Sequence, residues 1–234
     1  MSYFIIRIIS PVYFYLILLS VIFFQTELTL TILLQNTLIF LLFSYVIFSY
    51  YNKYKQKRFS YASYITYARL IINILVLSIV IYMATTGNNV FYNNGTIFVI
   101  CLISLFLDGI DGFIARYLRQ NSKFGEIFDQ ETDTILLLIL SLSININLGQ
   151  SFLIFLVPLY RYIFLLTQYK VEWLNQALPK SQIRRFLCFL TTLTLILCHM
   201  PYIYSSALYY LVNFSIFLIT FSFAKDIIWL YRNK

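Results

Sequence analysis

Acidic residues are nearly missing from this chain, which has nine Asp and Glu in 234 residues. Charged residues of both signs make up only 11%, against about 25% in a soluble domain. With 61% hydrophobic residues and a mean hydropathy of +0.80, that scarcity excludes an ordinary soluble fold. The expectation is an all-α, polytopic membrane protein, because helices satisfy their own backbone in lipid. Cysteine occurs three times, at Cys101, Cys188 and Cys198, each inside an apolar run and without ligand spacing. Disulfides and a cysteine-based metal centre are therefore not expected. The one histidine, His199, stands at the end of a span beside Met200 and Pro201 and reads as a solvated end residue. Internal repeats and low-complexity segments are also lacking.

What is abundant is aromatic and aliphatic side chain, with 23 Phe and 21 Tyr, as expected for lipid contact and interfacial belts. Eight apolar stretches are long enough to span: 3–24, 28–50, 62–86, 96–118, 126–148, 151–170, 185–200 and 203–231. The seventh is the shortest. A span needs about 20 apolar residues. The first has too long an apolar run for a signal peptide and no small-residue cleavage site, so it reads as a retained helix. Pro11 and Pro158 fall inside spans, where neighbouring helices are expected to satisfy the freed backbone groups.

The net charge of +8 follows topology and does not point to nucleic acid. With the N-terminus inside, the inner loops 51–61, 117–125 and 171–184 and the C-terminal tail carry the Lys and Arg of the loops. The outer loops 25–27, 87–95, 149–150 and 201–202 carry none. This positive-inside pattern supports both the count and the orientation. The basic run at 51–61 marks one boundary. Residues 1–50 read as an accessory pair of helices, 51–61 as a basic cytoplasmic linker, and 62–231 as a six-helix working core.

Six of the nine acids lie between Asp108 and Asp133. Asp108 and Asp111 are three apart at the inner end of one span, and Asp129 and Asp133 are four apart at the start of the next. Those spacings put each pair on one helix face, to within about 60° and 40°. A short loop joins the two spans, so all four carboxylates can converge at one depth. A charge at mid-membrane costs roughly 2.5–3.5 kcal/mol on insertion scales, and four like charges also repel. A compensating cation is required. Oxygen ligands favour a hard divalent ion such as Mg²⁺, Mn²⁺ or Ca²⁺. Two such ions about 3.5–4 Å apart could clamp a phosphoryl group. Gly109, Gly112 and Ala115 remove bulk beside Asp111, either for a ligand or for helix packing. Arg116 suits an anionic partner, and Gly125 reads as opening the next helix.

The pattern Asp-x2-Asp-Gly-x2-Ala-Arg-x8-Gly-x3-Asp-x3-Asp resembles the signature of the CDP-alcohol phosphotransferases, and it is complete here in Asp108, Asp111, Gly112, Ala115, Arg116, Gly125, Asp129 and Asp133. Upstream, Ser63-x2-Thr66-x2-Arg69 resembles the family's Asn-x2-Thr-x2-Arg element, with Ser63 in place of asparagine. The resemblance implies Mg²⁺ or Mn²⁺, two ions, held by Asp108, Asp111, Asp129 and Asp133, with Asp133 also the general base. It implies that Gly112, Ala115, Arg116, Gly125, Thr66 and Arg69 bind the CDP-alcohol. The donor is most often CDP-diacylglycerol, the partner a small polar alcohol, the product CMP, and the assembly a homodimer. The expected location is a bacterial cytoplasmic membrane, with both termini and the site on the cytoplasmic side.

For the acceptor, Arg161 lies within a span, and Lys180, Arg184 and Arg185 stand nearby in sequence at the inner loop. Such a basic pocket favours glycerol 3-phosphate or another phosphorylated polyol such as an inositol phosphate. Serine, inositol or choline remain alternatives, choline being disfavoured by the x8 spacing. A reading of a different class is a divalent-cation transporter, for which the Gly112–Ala115–Arg116 element has no evident use.

Overall fold

The computed structural model describes residues 10–23, 30–54, 59–86, 94–120, 122–176 and 181–232. Among these residues there is no strand. Among the described residues eight helices fall where the apolar stretches predict them: α1 Ser10–Phe23, α2 Leu30–Lys53, α3 Tyr61–Thr86, α4 Asn94–Tyr117, α5 Lys123–Ile146, α6 Leu156–Lys170, α7 Gln182–Leu197 and α8 Ser205–Arg232. Segments Ile32–Lys53, Tyr61–Thr85, Asn94–Tyr117 and Ser205–Arg232 are each long and apolar enough to cross a membrane. The chain is an all-helical, polytopic membrane protein. The seventh helix, Gln182–Leu197, has 16 residues and is not the shortest, since α6, Leu156–Lys170, has 15.

The chain forms two compact units. The first holds Met1–Val90 and Val99–Thr134, and the second holds Phe91–Phe98 and Ile135–Lys234. In the first unit α3 is the central helix. In its most apolar stretch 67% of residues are buried, against 28% in α2. A helix that is apolar all round belongs in a core, and Ile74, Val76, Ile79 and Val80 are fully enclosed. The helix α2 instead turns Leu34, Leu38, Leu41, Leu42 and Tyr45 outward, the face expected against lipid.

Polar side chains join α1, α2 and α3. Asn36 donates to Ser20 Oγ at 3.1 Å and accepts from Ser78, while Ser44 and Tyr67 share a hydrogen bond of 2.7 Å. Ser20 also donates back to the carbonyl of Leu16, and Ser78 Oγ lies 3.1 Å from the carbonyl of Ile74, so these hydroxyls are satisfied within an apolar packing.

Of the two helix ends near the acids, the start of α5 differs from expectation. The α4 helix closes with Arg119 at φ 52°, where glycine is usual, with Gln120 N–H donating to Ala115 O at 2.9 Å. The α5 helix opens at Lys123, two residues before Gly125, because Ser122 Oγ accepts the Gly125 N–H at 3.0 Å and caps the helix. Asp129 and Asp133 therefore lie in its second and third turns, not its first two. Similarly, Pro158 stands in the first turn of α6, after the 3-10 turn Phe152–Phe155. Its missing N–H costs nothing there, and no neighbouring helix is needed to compensate.

In the second unit α7 and α6 both pack on α8. Tyr160 stacks on Phe223 and its hydroxyl accepts from Thr220 at 3.0 Å. His199 corrects the expectation of a solvated end residue. It is fully buried, with Nε2 2.9 Å from Ser143 Oγ and Nδ1 3.1 Å from Leu195 O. The turn after α7 folds the ring back into the unit, where both ring nitrogens find partners. All three cysteines are free, as expected.

Candidate active site

One face of α3 carries Ser63, Thr66, Arg69 and Asn73, each three or four residues on from the last. All four are buried, and from Thr66 onward they bond to α4 and α5. Thr66 Oγ1 donates to Asp111 Oδ2 at 3.0 Å. Arg69 Nη1 lies 2.8 Å from Asp108 Oδ1, 3.0 Å from Asp111 Oδ2 and 2.7 Å from Asp129 Oδ1. Its Nη2 lies 2.5 Å from Asp133 Oδ1. One turn further, Asn73 accepts from Ser104 at 3.0 Å and donates to Thr132 O at 3.2 Å.

The four carboxylates do converge, and the residue that gathers them is Arg69, with a side chain only 1% exposed. Among them Asp111 is buried, while Asp108, Asp129 and Asp133 keep about a third of their side-chain surface exposed. The Arg69 Nε–H is buried and has no hydrogen-bond partner among the described residues.

One guanidinium against four carboxylates leaves a surplus of negative charge. The donor set fits a hard divalent ion. Asp108, Asp111 and Asp129 each offer an oxygen within 4.8 Å of the others, and oxygen-only ligands are what Mg²⁺ and Mn²⁺ take. Those same three carboxylates share Nη1, whereas Asp133 stands slightly apart on Nη2.

The other expected residues surround this point unevenly. Gly112 makes room for Arg116, since a Cβ there would come 3.3 Å from Arg116 Nη1. Arg116 itself is exposed in the last turn of α4. Ala115 is half-buried. Gly109 has open space where a side chain would be. Gly125 sits against Ser122 and Ser63, whose hydroxyl is engaged by Ser60 at 2.8 Å. Gln120 accepts the Tyr61 N–H at 3.2 Å and so ties the α4–α5 loop to the start of α3.

Arg161 and Arg184 belong to the second unit. Arg161 is half-buried on α6, and Arg184 pairs with Asp226 of α8 at 3.3 Å. Arg185 is exposed, and Lys180 lies outside the described residues. Two contributors escaped the sequence reading. Asn73 gave a signal, a carboxamide at helical spacing from Thr66 and Arg69, whereas Asp226 stood alone in a distant span.

An acidic cluster on membrane helices, gathered by a buried arginine, with an exposed arginine five residues beyond Asp111 on the same helix, defines a membrane site suited to a phosphorylated ligand and a divalent ion. The family model for CDP-alcohol phosphatidyltransferases matches residues 59–224. The chain belongs to that family. Neither a curated protein nor a solved structure matches it significantly.

Proposed function

We propose that this protein transfers a phosphatidyl group from CDP-diacylglycerol to the hydroxyl of a small polar acceptor, releasing CMP. The observation that carries this reading is the convergence of Asp108, Asp111, Asp129 and Asp133 on Arg69, inside a chain with the family's complete signature. Residues 62–231 would be the catalytic core, 51–61 a basic linker at the cytoplasmic surface and 1–50 an added pair of helices. The site would open to the cytoplasmic side of a bacterial membrane, where a lipid-linked pyrophosphate can enter from the bilayer.

Asp108, Asp111 and Asp129 would hold the divalent ions, with Asp133 at the edge of the same shell. Bound there, Mg²⁺ or Mn²⁺ supplies positive charge to the phosphoryl oxygens and to the departing CMP. The chain's own residues orient and move protons. Arg116, with Gly112 and Ala115 leaving space around it, would receive the CDP portion. Thr66 fixes Asp111, and Arg69 spaces all four carboxylates. Asp133 would take the proton from the acceptor hydroxyl. The new O–P bond forms at the phosphorus next to the lipid, the anhydride P–O bond breaks, and CMP leaves with that electron pair. The work is positioning plus charge stabilisation.

For the acceptor, Arg161 and Arg184 favour a phosphorylated polyol, glycerol 3-phosphate first. Purified protein with Mg²⁺ or Mn²⁺ should release CMP from CDP-diacylglycerol only when the right alcohol is present. A panel of acceptors with mass spectrometry of the lipid product decides the acceptor. No CMP release with any acceptor would refute the transferase reading.

A further inference from the structure

The family match begins at residue 59, yet α2 lies in the unit that carries the carboxylates. Its contacts reach the site from behind. Tyr67 follows Thr66 and precedes Arg69 by two residues, its side chain is fully buried, and its hydroxyl is hydrogen-bonded to Ser44 of α2. Its ring lies edge-on to Phe128 at 5.8 Å, and Phe128 is the residue before Asp129. Phe40 of α2 packs on the same ring at 6.1 Å. Tyr51 of α2 meets Phe124 edge-on at 5.6 Å, one turn before Phe128. Phe59 joins the group, 5.8 Å from Phe124 and 6.3 Å from Tyr67.

The cluster therefore has three walls. Tyr67 comes from α3, Phe124 and Phe128 from α5, and Phe40, Ser44 and Tyr51 from α2. Tyr67 and Arg69 stand about 160° apart on α3, and both meet α5, Tyr67 through Phe128 at 5.8 Å and Arg69 Nη1 through Asp129 Oδ1 at 2.7 Å. Ligand geometry at such a site must hold to within about 0.5 Å. A buried ring on α3 that packs on Phe128 of α5, and is itself pinned by a hydrogen bond to α2, sets the register of α5, with Asp129 and Asp133, against α3 and Arg69.

We propose that α2 is a positioning element for the acidic site, acting through the Ser44–Tyr67 hydrogen bond and the seat of Phe124 and Phe128. The inference rests on the reading of the four carboxylates as the divalent-ion site. Ser44 and Tyr67 touch no substrate in this scheme; they act through Thr66, Arg69 and Asp129. The helix α2, outside the family match, would then be part of the working half of the enzyme and not an optional addition.

The test uses the full chain in detergent, with Mn²⁺ as the probe, titrated by electron paramagnetic resonance, alongside kcat and KM from CMP release. Ser44→Ala and Tyr67→Phe should each weaken Mn²⁺ binding by up to about tenfold, the worth of one buried hydrogen bond. Each should lower kcat with the acceptor KM little changed, and the double variant should be no worse than either single. Ser44→Thr should restore both readouts. Asn36→Leu, which cuts the link to Ser20 and Ser78 two turns from Ser44, should lower the melting temperature and leave Mn²⁺ affinity as in the wild type. Tyr51→Leu loosens the same seat without touching Tyr67 and should act like Ser44→Ala. Wild-type Mn²⁺ affinity in folded Ser44→Ala and Tyr51→Leu would overturn the proposal, as would additive effects in the double variant. A wild type that binds Mn²⁺ but releases no CMP would remove the transferase reading, and the titration would still decide the role of α2.

Discussion

Replacing Arg69 by Met keeps the unbranched stem of the side chain and removes the guanidinium that pairs with four carboxylates. Breaking a buried ion pair from one side costs about 3–5 kcal/mol, because the partner stays buried without compensation. Here the cost falls unevenly. Asp108, Asp129 and Asp133 retain 30%, 39% and 32% of their side-chain exposure and can be hydrated, whereas Asp111 retains 5%. Thr66 still donates to Asp111. The lower end, about 3 kcal/mol, is therefore expected. At about 2–4 °C per kcal/mol for a chain of this size, the melting temperature in EDTA should fall by roughly 6–12 °C. Mg²⁺ should recover most of that loss, since the ion and Nη1 compete for the same three carboxylates. For the same reason Mg²⁺ should raise the wild-type melting temperature by less. Thermal unfolding in detergent, with EDTA or Mg²⁺, measures both. An Arg69→Met protein as stable as the wild type in EDTA, or an equal Mg²⁺ shift in both, would refute the view that Arg69 is the internal counter-ion of the site.

Further variants separate chemistry from architecture. Asp133→Asn should abolish CMP release while Mg²⁺ still raises the melting temperature; normal turnover would remove Asp133 as the base. Arg184→Ala breaks a partly exposed pair with Asp226 worth at most about 1 kcal/mol, so a raised KM for the acceptor with little change in melting temperature is expected, and an unchanged KM would take Arg184 out of the acceptor pocket. His199→Ala leaves the buried Ser143 hydroxyl without its ring partner and should cost about 1–3 kcal/mol of stability, read as a lower melting temperature. Proteoliposomes containing the protein should show no Mg²⁺ flux, and a nucleotide-independent flux would revive the transporter reading.

The acidic cluster was readable because carboxylates are so rare here that four at helical spacing in apolar flanks carry their own message. Helix number and placement were readable for a related reason, since apolar length is a local property. Arg69 was visible as an arginine inside a span, but its partners are not local. Asp111 lies 42 residues away and Asp129 lies 60. Spacing along one helix cannot say which other helix the face meets. The same holds for Tyr67 and Ser44, two ordinary residues in a Tyr- and Ser-bearing chain, and for Arg184, whose partner Asp226 lies 42 residues away on the next helix.

His199 shows the limit most plainly. Its position at the end of an apolar run argues for solvent, and only the turn that folds it onto Ser143 decides otherwise. By itself the sequence determined an all-helical membrane chain, eight apolar stretches, and a carboxylate signature of one family, because composition, period and spacing act within a helix. Only the tertiary structure decided that a buried arginine from α3 gathers those carboxylates and that side chains of α2 pack on α3 and on α5, which bears two of them. Such contacts depend on which faces of distant helices pack together, and packing is a property of the whole core.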